Sequence, residues 1–219
     1  MQLLIATQNR HKRAEFAAIF PGHDVITPAD LGIDFAVKET GDSFLANAML
    51  KAQHLSALIR SGVAPASPGD RTAAIEESIV IADDSGLCVD ALAGAPGIYS
   101  ARFGSPDGGV TELDAASRNE LLLHSLEGAG RRTARFVCCM AALLPRDRIV
   151  IAQESWEGEI ARSASRGTGG FGYDPVFYLP GLQCTAADLP PAEKNRLSHR
   201  GRASQVLATG LAAALELPA

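Results

Sequence analysis

The sequence lacks the features that mark several classes of protein. Its four cysteines form no C-x-x-C pair, which disfavours a zinc ribbon or a disulfide framework and predicts reduced thiols. No stretch approaches the ~18 consecutive apolar residues that a membrane-spanning helix needs. The apolar run at residues 1–7 is too short for a signal peptide. We therefore expect a cytoplasmic protein that does not interact with membranes.

Basic charge is also scarce. The chain has 20 Lys and Arg against 25 Asp and Glu, a formal net charge of −5. Because a nucleic-acid-binding domain normally carries a basic face, we expect no nucleic-acid partner. A local basic pocket for phosphates remains compatible with this balance. The P-loop pattern G-x-x-x-x-G-K-[ST] is absent as well, which disfavours that phosphate-binding motif.

Hydrophobic patterning predicts a mixed α/β fold. At 219 residues the chain can form one large domain or two lobes, and we expect a single domain, 1–219, with a surface insert at about 61–77. Strands and helices alternate early and strands dominate the middle, which favours a mixed sheet over a parallel one. Strands are predicted at 2–6, 78–82, 133–144 and 148–155, with residues 156–160 continuing the sheet. Helices are predicted at about 13–20, 43–60, 111–127 and 199–216.

Two neighbouring acids follow the strand predicted at 78–82. The segment Asp83-Asp84-Ser85-Gly86 is predicted to be a turn, and the end of a buried strand is where α/β proteins place active sites. Neighbouring carboxylates favour a divalent cation, and Mg²⁺ is bound by one or two carboxylates together with substrate phosphates. From this segment alone, a tight turn capped by aspartate is the open alternative.

A third acid, Glu39, precedes the helix predicted at 43–60, for which Asp42 is the expected N-cap. Backbone N–H groups at a helix start favour anions. On this helix Ser43, Asn47 and Lys51 recur at four-residue spacing and form one polar stripe. Lys51 could reach a phosphate oxygen from that stripe, or it could lie on a solvated face.

Three further segments carry ligand-binding chemistry. Residues 7–12 offer a hydroxyl, an amide and an ammonium around a strand-to-helix turn, as a phosphate cradle requires. Phe171 lies between glycines in the loop 167–175, where its ring could stack on a flat base. Lys194, His199 and Arg200 are hydrogen-bond donors near the start of the last predicted helix.

Together these segments resemble the inosine triphosphate pyrophosphatase family, also called dITP/XTP pyrophosphatases. The strings that carry the resemblance are TQNRHK (7–12), ETGDSF (39–44), DDSGL (83–87), GTGGFGYDPVF (167–177) and SHRG (198–201). They occur in order over nearly the whole chain. The resemblance implies an elongated two-lobed α/β fold, with a long central mixed sheet flanked by helices and a substrate cleft between the lobes.

The resemblance also implies a homodimer that uses Mg²⁺ to split the α–β phosphate link of ITP, dITP or XTP. Asp84 is then the catalytic proton acceptor and, with Glu39, a metal ligand, while Asp83 is a supporting carboxylate. The expected substrate contacts are Thr7, Gln8, Asn9, Arg10, His11, Lys12, Lys51, Ser85, Phe171, Gly172, Tyr173, Asp174, Lys194, His199 and Arg200.

Two other functions stay open. A related pyrophosphatase of similar fold would prefer modified pyrimidine or other nucleotides, and a regulatory module would bind a nucleotide without hydrolysing it. The full segment 169–175 with Ser198-His199-Arg200 weighs against the first, and the presence of both Glu39 and Asp84 weighs against the second.

Overall fold

The structure is a computed structural model that describes residues 2–61, 78–106 and 113–216. Within these ranges it has five α-helices and seven strands. The helices are α1 (Arg10–Ile19), α2 (Phe44–Arg60), α3 (Ala115–Ser125), α4 (Pro191–Leu197) and α5 (His199–Glu216). The strands are β1 (Gln2–Ile5), β2 (Asp24–Ile26), β3 (Ile79–Val89), β4 (Thr133–Leu144), β5 (Arg148–Ile160), β6 (Phe177–Leu179) and β7 (Cys184–Thr185).

All seven strands form one mixed sheet in the order β2-β1-β3-β4-β5-β6-β7. β1 runs parallel to both of its neighbours, with Leu4 opposite Ile26 of β2 and Val80 of β3. β6 is antiparallel to both β5 and β7. The mixed α/β class predicted from the sequence is therefore confirmed.

The chain divides into two compact units. The first comprises Met1–Asp84, Cys139–Gln153 and Ala203–Ala219, and the second comprises Ser85–Cys138 and Glu154–Arg202. In the first unit, side chains of β1, α2 and β3 form an apolar core that includes Leu4, Leu55 and Val80. In the second unit, the core is built around Trp156 and Phe177, whose rings lie 5.5 Å apart.

The predicted turn at 83–86 is wrong, because β3 continues through it to Val89. Asp-Ser-Gly is a strong local turn signal, but nearly every position of this strand is buried. The two buried aspartates are tolerated in a strand because each one contacts a lysine, Asp83 with Lys12 and Asp84 with Lys51. Ion pairing thus removes the local preference for a solvated turn.

Three helices begin at positions other than the predicted ones. In each, the side chain just before the observed start supplies the N-cap. α1 begins at Arg10 rather than after residue 12, since Asn9 accepts hydrogen bonds from the backbone N–H groups of His11 and Lys12. Ser43, not Asp42, caps α2. α3 begins at Ala115 with Asp114 as its cap, and the predicted start at 111 lies outside the described residues. In each case the cap satisfies backbone donors at the helix start.

Other boundaries match the prediction closely. The strand 133–144 and the helix 199–216 have the predicted limits, and residues 148–160 form one continuous strand. α4 and the short strands β6 and β7 were not predicted, because segments of two to seven residues carry little periodicity. All four cysteines carry free thiols.

The surface insert predicted at about 61–77 lies almost entirely outside the described residues. Ser61 is the C-cap of α2, and the rest of the predicted insert, 62–77, lies outside the described residues. Across the described ranges, no helix combines the length and the apolar character that crossing a membrane requires.

Candidate active site

A cluster of charged side chains in the first unit joins α2 to β3. Lys51 of α2 places its Nζ 2.8 Å from Glu39 Oε1 and 2.7 Å from Asp84 Oδ1. One turn earlier on the helix, Asn47 donates from Nδ2 to Asp84 Oδ2 at 3.3 Å and accepts from the backbone N–H of Gly41 at 2.8 Å. The four-residue spacing therefore aims Asn47 and Lys51 at the same carboxylate.

Lys51 does not lie on a solvated face, so that alternative is wrong. The residue is 9% exposed, and Asn47 is fully buried. Ser43, the third residue of the predicted stripe, instead caps the helix by accepting from the backbone N–H of Ala46. The stripe is polar because it meets Asp84 on the neighbouring strand.

Asp83 has its own partner on a different helix. Its carboxylate lies 2.9 Å from Lys12 Nζ of α1, and its side chain is almost completely buried. Successive side chains of a strand point to opposite faces of the sheet, so Asp83 and Asp84 contact different helices. Asp84, rather than Asp83, shares a cation with Glu39.

Burial and neighbouring charges shift the ionisation of this cluster. Burial raises the pKa of the Asp84 carboxyl, and although Lys51 opposes the rise, Glu39 adds to it. Burial by itself would lower the pKa of the Lys51 ammonium, but the carboxylates of Asp84, Asp83 and Glu39 together raise it. A buried carboxylate with a raised pKa is a stronger base than a solvated one, which suits it to accept a proton.

Glu39 and Asp84 are two carboxylates that could hold a metal ion with few protein ligands. Both carboxylates lie within 2.8 Å of the same ammonium nitrogen, Lys51 Nζ, so their oxygens converge on one positive charge. In the described part of the chain, no three His, Cys, Asp or Glu side chains converge as a metal cage would require. Mg²⁺ commonly binds in this way, through one or two carboxylates with water and phosphate completing its coordination.

The segment between β1 and α1 is built around three hydrogen bonds that side-chain oxygens accept. Thr7 is buried and its Oγ1 accepts from the backbone N–H of Asn9 at 3.1 Å. Asn9 in turn caps α1 through His11 and Lys12. The side chains of Gln8, Arg10 and His11 are exposed, so this segment presents polar groups at a helix start, where anions are favoured.

The loop around Phe171 lies in the second unit. The glycines on both sides of Phe171 have positive φ, +72° at Gly170 and +64° at Gly172, which only glycine adopts without strain. Asp174 accepts from the backbone N–H of Phe171 at 2.6 Å and from Lys194 Nζ at 2.8 Å. The loop is therefore closed by a buried ion pair.

Two positively charged side chains lie close to the ring of Phe171. Lys194 Nζ lies 5.0 Å and Arg200 Cζ 5.8 Å from its centroid, distances at which a cation and a ring attract each other. Arg200 also donates to Ser85 Oγ at 2.9 Å. His199 stacks on Phe136 with 4.8 Å between ring centroids and 10° between planes. The structure thus brings five predicted site residues together: Ser85, Phe171, Asp174, Lys194 and Arg200.

Tyr173 is buried, and its hydroxyl donates to the carbonyl of Ser100 at 2.8 Å. Burial raises the pKa of this phenol well above its ordinary value. Three residues that support the predicted site residues had no predicted role of their own: Asn47, Ser100 and Phe136. Only Asn47 carried a signal, its spacing from Lys51, whereas Phe136 is one apolar residue among many in β4.

Comparisons with known proteins agree with the motifs. The chain is 45% identical over 213 residues to the dITP/XTP pyrophosphatase of Thioalkalivibrio sulfidiphilus, covering 94% of this chain and 96% of that protein. It is 42% identical over 203 residues to the dITP/XTP pyrophosphatase of Treponema denticola, covering 93% and 94%. The Ham1 protein of Staphylococcus aureus superposes with a TM-score of 0.77 at 36% identity, covering 98% of this chain and all of that one.

A Ham1 protein from Coxiella burnetii superposes with a TM-score of 0.76 at 36% identity, covering 97% of this chain and 99% of that one. The sequence model of the Ham1 family matches residues 3–209, which include parts of both compact units. The resemblance inferred from the five motifs is therefore confirmed, and the chain belongs to the Ham1 family.

Proposed function

We propose that this protein hydrolyses non-standard purine nucleoside triphosphates, ITP, dITP and XTP, to the monophosphate and pyrophosphate. The observation that carries the proposal is the convergence of Glu39 and Asp84 on one cationic position, 2.8 and 2.7 Å from Lys51 Nζ. The names of the relatives, dITP/XTP pyrophosphatases at 42–45% identity, support the same activity.

We assign phosphate chemistry to the first unit. A magnesium ion held by Glu39 and Asp84 would neutralise charge on the triphosphate and orient it. Asp84 accepts the proton of the attacking water, a role that its burial and raised pKa support. Lys12 and Lys51 supply positive charge for the leaving pyrophosphate. Residues 7–11 contribute the polar groups at the start of α1.

We assign base recognition to the second unit. Phe171 offers a ring face for stacking on the purine. Hypoxanthine and xanthine carry an oxygen at position 6, which accepts hydrogen bonds from donors such as His199 and Arg200. Adenine carries an amino group there and would leave those donors unpaired, which gives large discrimination. Gly172, Tyr173, Asp174 and Lys194 hold the loop that presents Phe171.

The same proposal includes three properties that rest on the family resemblance. Both compact units belong to one functional domain, since the family model spans residues 3–209. The protein acts as a homodimer. It works in the cytoplasm, where its substrates arise in the nucleotide pool.

The experiment is a nucleotide panel with magnesium, comprising ITP, dITP, XTP, GTP, dUTP and a modified TTP, with pyrophosphate and orthophosphate measured separately. We expect pyrophosphate from ITP, dITP and XTP. Orthophosphate as first product would mean attack on the γ-phosphate and would contradict the proposal. A preference for the pyrimidine nucleotides would indicate the related pyrophosphatase, and no pyrophosphate above background would indicate a binding module.

Asp84→Asn tests the assignment of the base. The variant should lose turnover and remain folded. A raised pKa means that ionisation of Asp84 disfavours the folded state, so a neutral amide at this position should not unfold the protein. Asp42→Asn is the matched control, since Asp42 is an exposed acid close to Glu39 in the chain. Near-normal turnover by Asp84→Asn would exclude Asp84 as the proton acceptor.

A further inference from the structure

Asn119 of α3 is a buried amide that reaches the loop around Phe171. Its Nδ2 donates to the carbonyl oxygen of Gly172 at 3.1 Å, across 53 residues of sequence. The residue is only 6% exposed. Its Oδ1 is buried and has no hydrogen-bond partner among the described residues.

An asparagine at this position costs stability in two ways. It lies in a helix interior, where asparagine is less favourable than leucine, and its buried Oδ1 is left without a donor. Leu122, three residues further along α3, and Leu126, the C-cap of α3, are almost completely buried in the core of the second unit. A leucine at 119 would extend that apolar face, so the packing of α3 gives no reason for an amide.

The reason lies in what the Nδ2 holds. Gly172 directly follows Phe171 and has a positive φ of +64°. Because glycine adopts positive and negative φ about equally well, its own backbone does not hold this conformation. Within the loop, Asp174 accepts a hydrogen bond from the backbone N–H of Phe171. Asn119 fixes the Gly172 carbonyl from another element. Together the two hydrogen bonds restrain the backbone on both sides of the Phe171 side chain.

We propose that Asn119 is a positioning residue for purine recognition, which holds the Gly172 carbonyl and thereby fixes the orientation of the Phe171 ring. The proposal rests on the function proposed above, in which Phe171 stacks on the base. Asn119 touches neither the phosphates nor Asp84 in this assignment. Its removal should therefore weaken binding of the purine and leave the chemical step unchanged.

Asn119→Leu is the decisive variant, because a positioning role and a structural role predict different results for it. Leucine removes the unpaired buried oxygen, so the melting temperature should be unchanged or higher. The KM for ITP should rise about tenfold and kcat should stay within about twofold, since the lost contact affects binding alone. The preference for ITP over ATP should fall.

Asn119→Asp serves as the second variant. It keeps the shape of the side chain but places an oxygen against the Gly172 carbonyl, so the KM should rise at least as much as in Asn119→Leu. Glu120→Gln is the control, an exposed neighbour on the same helix, and it should match the wild type. Calorimetric binding of inosine monophosphate measures the base contact without turnover, and its Kd should weaken by the same factor as the KM.

Wild-type KM, wild-type inosine monophosphate affinity and wild-type selectivity in a folded Asn119→Leu protein would overturn the inference. A fall in kcat at unchanged KM would overturn it too, because Asn119 would then act on the chemical step. If the wild-type protein releases no pyrophosphate from any purine nucleotide, the proposed function itself fails. The two failures are therefore distinguishable.

Discussion

Lys51→Met removes the cation between Glu39 and Asp84 while keeping the length and most of the volume of the side chain. In the wild type, the Lys51 ammonium lies 2.8 Å from one carboxylate and 2.7 Å from the other. Without it, two negative groups face each other beside a helix. We expect a large loss of stability, because the charges left behind are partly buried and have lost their shared partner.

The size of the loss follows from the exposure of the two acids. Removing one partner of a buried ion pair costs about 3–5 kcal/mol. Asp84 is 6% exposed but keeps the amide of Asn47, and the Glu39 side chain is 28% exposed and can turn to water. Both features favour the lower end, about 3 kcal/mol. With an m-value of about 3 kcal/mol/M in urea, the midpoint should fall by ~1 M.

Urea unfolding at neutral pH with a chelator present measures this loss. Lys38→Met is the control, since Lys38 is exposed and precedes Glu39, and it should change the free energy of unfolding by less than about 0.5 kcal/mol. The double variant Lys51→Met/Asp84→Asn should recover much of the loss, because the stranded charge is gone. A loss below about 1 kcal/mol for Lys51→Met, or no recovery in the double variant, would refute the reasoning.

Magnesium should partly replace the lost ammonium. In Lys51→Met the two carboxylates have no internal cation, so added Mg²⁺ should bind more tightly than in the wild type without nucleotide. Occupancy at 100 times Kd stabilises a protein by about 2.7 kcal/mol. The midpoint of Lys51→Met should therefore rise with Mg²⁺ while that of the wild type changes less. No rise in the midpoint of Lys51→Met with added Mg²⁺ would contradict the assignment of Glu39 and Asp84 as the metal ligands.

Two further predictions concern the second unit. Gly201→Ala places a Cβ against the backbone carbonyl of Asn195, so the free energy of unfolding should fall by about 1–3 kcal/mol, whereas Gly181→Ala, with open space around it, should not change it. Hydrogen bonds from Thr185 lower the pKa of Asp188 below its ordinary 3.8. The stabilisation by Asp188 is therefore complete above that value and is lost as pH falls through the lowered pKa, so melting temperatures of wild type and Asp188→Asn should differ at about pH 6 and converge in acid.

The parts of the fold that the sequence predicts well are long segments whose periodicity agrees with their burial. The helix at 199–216 and the strand at 133–144 have the predicted limits. The helix starts were less accurate, because several residues near each one can act as a cap. Asp42 and Ser43 are both good caps by type, and only the backbone decides that Ser43 accepts from Ala46.

The candidate site was predicted as a set of residues but not as a set of contacts. Motif resemblance selected Glu39 and Asp84, and the four-residue spacing on the predicted helix selected Lys51. Neither signal indicated that Lys51 bridges the two acids, which are 12 and 33 residues away in the chain. Asn119 was not selected at all, since its partner is a backbone carbonyl 53 residues away and no pattern in a single sequence encodes such a contact.

The error at residues 83–86 bears directly on the chemistry. In a turn, Asp83 and Asp84 could lie on one side and share a single metal ion. In a strand they point to opposite faces of the sheet, where Asp83 meets Lys12 of α1 and Asp84 meets Lys51 of α2. The strand therefore separates the two carboxylates and leaves Glu39, on the Asp84 side, as the second acid. The extended backbone, rather than the order of residues, decides which aspartate lies beside Glu39 and Lys51.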